Sequence, residues 1–350
     1  MLRFEFFDLC FHITRYMTFV KNLEMETTFM KKVIIWSDTH NFPSIAAMKI
    51  SSFHKACGDD VKLFESAFDY CDVLYKSKAF SFTSDLEHYP QGCEQVISGG
   101  SGYAIRTENN RECYSAELDS PLPNEIESQY PDYSLYPQFA DNAYGFLTRG
   151  CGNNCPFCIV SKKEGLVSRK VADLSDFWRG QGFIKLMDGN LLNSRDREGL
   201  LQQLIDSKAK IDYVQGLDAR FVTEDIAKLI CKTRIAMIHF AFDNLKDETR
   251  ILRGLEIFAK HTNLTDRNRR VYILTNYETT QDEDWYRVQK VRELGYQPYI
   301  TIYQKGTHGQ FITDLARWSN SYFINRSCDF LDYVPRVDGK TCRQLYGITA

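Results

Sequence analysis

Short apolar runs and amphipathic, helix-length stretches alternate along the chain from Val33 onward. Such alternation is the pattern of an α/β protein, in which strands are buried on both faces and helices bury one stripe. In the first third, Val33 to Trp36, the VKLF and DVLY runs (Val61 to Phe64, Asp72 to Tyr75) and Val96-Ile97 read as strands. A helix opens near Pro43, runs to about Ala56 and stops at Gly58. This pattern predicts a doubly wound α/β domain over residues 30–120.

From residue 141 the rhythm is more regular. Tyr144 to Leu147, Phe183 to Met187, Ile211 to Gln215, Ala236 to Ala241, Val271 to Thr275 and Pro298 to Tyr303 are six strand candidates. Amphipathic helices fit between them, most clearly at Glu198 to Ser207, Thr223 to Cys231, Asp247 to Lys260 and Glu283 to Leu294. Parallel strands with helical crossovers curve into barrels that carry their chemistry on loops at the strands' C-terminal ends, so residues 141–306 are expected to form a partial (β/α)6 barrel. Four of the nine prolines (Pro121, Pro123, Pro131, Pro137) fall just before it, and residues 121–140 therefore read as an extended connection. Residues 307–350, with Trp318, Tyr322 and Phe330, are expected to form a C-terminal cap over the barrel mouth.

A length of 350 residues suits two domains and excludes one small module. Against 46 Asp and Glu stand 43 Lys and Arg, a net charge of −3, so no global basic excess draws the chain to nucleic acid or anionic lipid. No run of interleaved basic and aromatic residues marks a nucleic-acid groove either. The aromatic stretch at the start is interrupted by Arg3, Glu5, Asp8 and Arg15, too many charges for a membrane span, and lacks the parts of a secretory signal. The expected location is the cytoplasm. Because Met30-Lys31-Lys32 leads straight into the first strand, residues 1–29 are read as an extension ahead of the natural start.

Cysteine usage points to chemistry. The eleven cysteines cannot all pair within one chain, and eight of them (Cys10, Cys57, Cys71, Cys93, Cys113, Cys231, Cys328, Cys342) lie singly, which suits buried small hydrophobes. Cys151, Cys155 and Cys158 are crowded into Arg149-Gly150-Cys151-Gly152-Asn153-Asn154-Cys155-Pro156-Phe157-Cys158, after the first barrel strand. Three soft thiolates on one short loop hold three corners of an iron-sulfur cluster, and the lack of a fourth nearby cysteine leaves one iron open. Gly150 and Gly152 permit tight wrapping, and Pro156 stiffens the turn. A zinc-stabilised binding module is the alternative from the residues alone, but later candidate ligands such as Cys231 and His239 are isolated.

At Cys151, Cys155, Phe157 and Cys158 the chain resembles the radical S-adenosylmethionine superfamily, whose signature is CxxxCxxC with an aromatic before the last cysteine. The resemblance implies a [4Fe-4S] cluster whose open iron is chelated by S-adenosylmethionine. It further implies reductive cleavage of that cosubstrate to methionine and a 5'-deoxyadenosyl radical that abstracts hydrogen from a substrate. The family's cosubstrate segments would correspond to Asp188-Gly189-Asn190, which departs from the usual Gly-Gly-Glu form, and to Gln215, Asp218 and Arg220. Arg220 offers a fork suited to a carboxylate, although an Asp218–Arg220 pair also serves simply to order a loop. Asp243 ends the fourth strand and would point toward the mouth, Phe157 would pack beside adenine, and His239 reads as a core histidine. A one-electron donor such as a flavodoxin or ferredoxin is the implied partner.

The first domain is similar to the cobalamin-binding domains carried by some members of that superfamily. Asp38-Thr39-His40-Asn41-Phe42-Pro43 resembles the start of their Asp-x-His-x-x-Gly motif, with Pro43 in place of glycine. Ser81-Phe82-Thr83 and Gly99-Gly100 fall where the later Ser and Gly-Gly elements would lie. The resemblance implies His40 as a cobalt ligand oriented by Asp38, whereas Pro43 points to a degenerate domain whose loop covers the radical site. Cobalamin-dependent methyl transfer and methylthiolation are the neighbouring reactions, the latter needing an auxiliary cluster from cysteines such as Cys57, Cys71, Cys93 and Cys113. No motif identifies the substrate.

Overall fold

The computed structural model describes residues 30–39, 41–108 and 111–347. The extension over residues 1–29 and the candidate ligand His40 lie outside the described residues. Strands β1 (Lys32–Ser37), β2 (Asp60–Leu63), β3 (Val73–Ser77) and β4 (Gln95–Gly99) form a parallel sheet in the order β2-β1-β3-β4. Val33 and Ile35 pack toward Ala47, Met48 and Ile50 of helix α1 (Ile45–Ala56), while Ile34 and Leu74 face the other way onto Cys71. Ser44, not Pro43, caps α1, its hydroxyl accepting from the Ala47 N–H at 3.2 Å.

This sheet is parallel but not doubly wound. Residues 64–72 and 78–94, which join β2 to β3 and β3 to β4, contain no helix, because their Asp, Ser, Tyr, Pro and Gly break up any 3.6-residue apolar stripe. The second face is covered instead by Trp36, Phe64, Leu86 and Cys93. A hairpin that the hydrophobic pattern does not reveal follows, β5 (Ile105–Glu108) with β6 (Arg111–Tyr114). The proline-rich connection is not an open linker either. Tyr133 and Tyr136 enter the main core, and the Tyr133 hydroxyl donates to the Phe177 carbonyl at 2.7 Å while accepting from the Tyr144 N–H at 3.0 Å.

The second sheet has six parallel strands in chain order: β7 (Asn142–Gly145), β10 (Phe183–Leu186), β11 (Lys210–Leu217), β12 (Arg234–Ala241), β13 (Arg269–Thr275) and β14 (Gln297–Ile302). Between β7 and β10 the two-residue strands β8 (Thr148–Arg149) and β9 (Arg169–Lys170) pair antiparallel and bracket the cysteine loop. Helices α2 (Val160–Glu164), α3 (Arg197–Ser207), α4 (Glu224–Lys232), α5 (Glu248–His261) and α6 (Gln281–Glu293) occupy the connections, α3 to α6 close to their expected positions and α2 an addition that the pattern did not single out. Local signals set their starts, since Thr223 caps α4 and Thr280 with Glu283 forms a capping box on α6. Alternate residues Ile238 and Phe240, Val271 and Ile273, and Ile300 are buried, and the Phe240 ring meets Phe258 of α5 at 5.2 Å. Alternation therefore places Lys185, Asp212, His239, Arg270, Tyr272 and Tyr299 on the opposite face.

The C-terminal segment covers the sheet's edge rather than its mouth. Helix α7 (Gln310–Asn320) runs beside β14, and the Asn320 amide accepts from the Ile300 N–H at 2.7 Å and donates to the Ile300 carbonyl at 3.0 Å. Those groups would otherwise be an unpaired strand edge, so the demand for hydrogen bonds explains where the segment goes. Trp318 packs on Trp285 of α6 and on Phe330. Among the described residues, no helix is long and apolar enough to cross a membrane.

Candidate functional site

The cysteine loop leaves β7 and β8 and is held by its own backbone and by one carboxylate. The Cys151 N–H donates to the Gly165 carbonyl at 3.0 Å, and the Cys158 N–H to the Cys155 carbonyl at 3.0 Å. Glu164 accepts from the Gly150 N–H at 2.9 Å and from Arg149 Nη1 at 2.8 Å, tying the loop's entrance to α2. Gly150 is required at the entrance. Its φ is 92°, and a Cβ there would lie 2.3 Å from the Val167 carbonyl oxygen.

The Cys155 and Cys158 thiols lie within electrostatic reach of each other or of Cys151. Burial first, then the charges of Cys158, Asp243 and Cys151, push Cys155 up to about 11. Burial also raises Cys158, with Cys151 and Asp243 adding to it. Neighbouring buried thiols do not ionise together without a compensating positive charge, so this donor set suits a soft cationic group. Among the described residues no three His, Cys, Asp or Glu side chains are gathered for a single metal ion. Of the four cysteines considered for an auxiliary cluster only Cys71 and Cys93 meet, while Cys57 is exposed and Cys113 sits on the hairpin. The isolated cysteines are also less buried than expected, with only Cys71 and Cys342 fully so among those described.

Loops after β10, β11 and β12 converge on this segment. Asn190, 2% exposed, donates from Nδ2 to Cys151 Sγ at 3.3 Å and to Asp218 Oδ2 at 3.2 Å, while its Oδ1 is buried without a partner. Asn153, unforeseen from the sequence, donates to the same Asp218 oxygen at 2.7 Å. Gly189 lets the segment approach α2, where a Cβ would lie 3.2 Å from Val160. Asp188 serves the backbone instead, accepting from the Leu147 N–H at 3.2 Å, the Thr148 N–H at 2.5 Å and the Thr148 hydroxyl at 2.6 Å. Its carboxylate thus fastens the start of β8 to the loop after β10.

Burial pushes Asp188 up to about 6 despite those three donors. A carboxyl raised on folding binds its proton more tightly in the native state, so its contribution to stability falls as pH rises from its unfolded value, about 4, toward 6. Asp188→Asn is expected to flatten the fall in thermal midpoint across that window. An unchanged slope would assign the pH dependence to other groups.

After β11, Asp218 and Arg220 form a two-pronged pair, Nε to Oδ1 at 2.9 Å and Nη2 to Oδ2 at 2.8 Å, and Arg220 Nη1 reaches Asp247 at 2.7 Å. Burial pulls Asp218 upward, but Arg220 and Asn153 hold it below the usual carboxylate range. The guanidinium is therefore engaged on both edges, as in a loop-ordering pair. Gln215 is exposed at an irregularity in β11, beside Gly216 with φ 93°. Asp243 accepts from the Leu274 N–H at 3.0 Å, and burial pushes it up to about 6. His239 is a core histidine as expected, with Nδ1 2.8 Å from the Tyr213 carbonyl and its ring stacked on Tyr272. Phe157 meets Tyr277 edge-on at 5.2 Å, and Tyr277 in turn meets Tyr303. Tyr277 was not singled out from the sequence, although its place just beyond β13 is where the strand-end rule puts site residues.

Helix α5 buttresses this wall. A Cβ on Gly254 would lie 1.9 Å from the Ala219 carbonyl oxygen, in the turn that carries Asp218 and Arg220. Alanine normally gains about 1 kcal/mol over glycine inside a helix. Here the clash dominates, and Gly254→Ala is expected to cost about 1–3 kcal/mol in urea unfolding. A neutral or stabilising result would show that α5 is free to move away from the turn.

The first domain meets the site from the side. Lys163 of α2 donates to the Ser101 hydroxyl at 2.9 Å and pairs with Asp119 at 3.1 Å, and Arg111 of the hairpin lies 3.6 Å from Glu278, next to Tyr277. Asp38 accepts from the Ala79 N–H at 2.8 Å, the Phe80 N–H at 3.0 Å and the Thr83 hydroxyl at 2.7 Å. It therefore ties the loop after β1 to the loop after β3. Gly100 lies directly against the Lys78 carbonyl, so the glycine pair serves close packing of the same loops.

No family model matches the sequence, and no curated protein sequence is similar to it. Among solved structures, the chain is similar to Streptococcus suis SuiB bound to S-adenosylmethionine, with TM-score 0.36 and 12% identity, covering 61% of this chain and 52% of that one. It is also similar to SuiB bound to the precursor peptide SuiA, with TM-score 0.35 and 11% identity, covering 55% of this chain and 48% of that one. The chain thus spans about half the length of those structures.

Proposed function

We propose that the chain is a radical S-adenosylmethionine enzyme in which Cys151, Cys155 and Cys158 hold a [4Fe-4S] cluster. The observation that carries the reading is the convergence of this CxxxCxxC loop, at the end of the first of six parallel strands, with polar groups from the ends of the next three. When bound, the cluster and its cosubstrate supply a one-electron cleavage of the sulfonium, giving methionine and a 5'-deoxyadenosyl radical that takes hydrogen from a substrate. Asn190 is the best-placed residue for the cosubstrate's ammonium, because its Oδ1 is a buried acceptor without a partner beside Cys151. Asp218 and Asn153 position Asn190, Arg220 keeps Asp218 ionised, and Phe157 with Tyr277 offers an apolar wall for adenine. Asp188 and Gly189 act through the backbone they hold, and Asp243 lies within electrostatic reach of Cys155. A flavodoxin or ferredoxin would deliver the electron.

Cobalamin is not part of the proposal, since Asp38, which would orient a histidine ligand, accepts three hydrogen bonds that brace two loops, and Pro43 stands in place of the motif's glycine. Methylthiolation is disfavoured because, of Cys57, Cys71, Cys93 and Cys113, only Cys71 and Cys93 meet. Anaerobic reconstitution with iron and sulfide separates the readings. About four irons per chain are expected for one cluster and about eight for two. One bound zinc, a colourless protein and intact S-adenosylmethionine would instead establish the binding module.

A further inference from the structure

We infer that the face of the six-stranded sheet opposite its helices binds a carboxylate-bearing substrate through Arg270. Strand register gathers a polar layer there, apart from the cysteine loop. His239 lies opposite Arg270, Tyr272 opposite Tyr299, and Lys185 between Tyr144 and Asp212.

Its neighbours do not neutralise Arg270. The Lys185 ammonium is the cation paired with Asp212, at 2.7 Å. The His239 Nδ1 faces the Tyr213 carbonyl at 2.8 Å, and because a carbonyl only accepts, Nδ1 carries the hydrogen. Burial holds that imidazole below its usual pKa, so it adds neither a positive charge nor a counter-ion. Tyr299 lies under the guanidinium at 6.0 Å, a contact that leaves its charge uncompensated.

Two polar atoms on this face are shut off from solvent without a hydrogen-bond partner among the described residues: the donor Arg270 Nε and the acceptor Asp212 Oδ1, the latter 4.0 Å from His239 Nδ1. An unpaired donor beside an uncompensated charge is costly in the free protein and complementary to a ligand carboxylate, and Asp212, two strands away on the same face, adds an acceptor for a ligand's hydrogen-bond donor. An amino acid or the acidic end of a peptide has that chemistry. A dianionic phosphate does not, since it would be repelled by Asp212. The site also lies within reach of the cysteine loop. His239 and Asp243 share one face of one chain segment, and at roughly 3.3 Å per residue the distance from the Arg270 layer to the mouth is on the order of 13 Å. A substrate anchored at Arg270 would therefore extend about ten bonds, the length of about four extended residues, to present its reacting carbon at the mouth.

Calling this ligand a substrate rests on the proposed function, but its binding at Arg270 does not. The test is isothermal titration of the full chain, iron-free and reconstituted, with N-acetylglycine, its neutral amide and inorganic phosphate. N-acetylglycine is expected to bind both forms, with the amide weaker by roughly tenfold or more and Arg270→Gln losing a similar factor, as for loss of a charge-assisted hydrogen bond. Arg270→Lys, which keeps the charge and loses the fork, is expected to fall between and serves as the comparison should Arg270→Gln unfold. No saturable binding, equal binding of the amide, undiminished binding by Arg270→Gln, or preference for phosphate would each overturn the inference. Carboxylate binding without S-adenosylmethionine cleavage by the reconstituted chain would remove the enzyme reading alone, and cleavage without carboxylate binding would remove the Arg270 site alone.

Discussion

Replacing Cys155 by alanine is expected to lower the iron of the reconstituted chain from about four per chain to background. Formation of 5'-deoxyadenosine should be lost with it. Cys155 is the middle ligand of the loop, and with two thiolates left the segment offers no alternative cysteine, because the other described cysteines lie elsewhere in the fold. The loop's backbone bonds from Cys151 and Cys158 do not use the Cys155 side chain, so the fold should survive the change. The thermal midpoint of the iron-free variant should therefore match that of the iron-free parent. Cys57→Ala, which removes an exposed thiol at the end of α1, is the matched control and should keep its iron. Full iron in the Cys155 variant would place the cluster, or the bound metal, on other residues.

The largest loss of stability is expected from Arg287→Met. Arg287 is fully buried on α6 and donates to the Phe242 carbonyl at 2.9 Å and the Leu274 carbonyl at 2.9 Å, while pairing with Asp284. One guanidinium thereby joins the ends of β12 and β13, between which Asp243 is held by the Leu274 N–H. Methionine fills similar space but leaves two carbonyls and a carboxylate buried without that donor. Breaking a buried pair on one side costs about 3–5 kcal/mol, which urea unfolding would measure. Adding Asp284→Asn should recover part of the loss by removing the stranded charge. A loss below about 1 kcal/mol would show that water or a shift of α6 relieves the carbonyls.

The second sheet was largely legible because each strand carries a short apolar-rich run and most of the connecting helices an amphipathic stripe of ordinary length. The three cysteines were legible from spacing. What spacing did not convey was the use of the surrounding polar groups. Asp188 reads as a cosubstrate ligand after β10, yet its oxygens are taken by backbone N–H groups at the start of β8, a pairing across forty residues or so that no local pattern encodes. Asn190 and Asn153 become prominent only once three loops meet at Asp218. The first domain misled in another way. Its strands are clear, but the connections after β2 and β3 lack helices, and Asp38, read as the carboxylate orienting His40, braces the loops after β1 and β3. The C-terminal aromatics suggested a lid, whereas the open backbone edge of β14 was the stronger demand.

The most direct test is to add S-adenosylmethionine to the reduced, reconstituted full chain and follow both the cluster's electron paramagnetic resonance spectrum and the products. A changed spectrum together with methionine and 5'-deoxyadenosine in equal amounts is the expected result. A full, reducible cluster whose spectrum is indifferent to S-adenosylmethionine, and which leaves it uncleaved, would contradict the account.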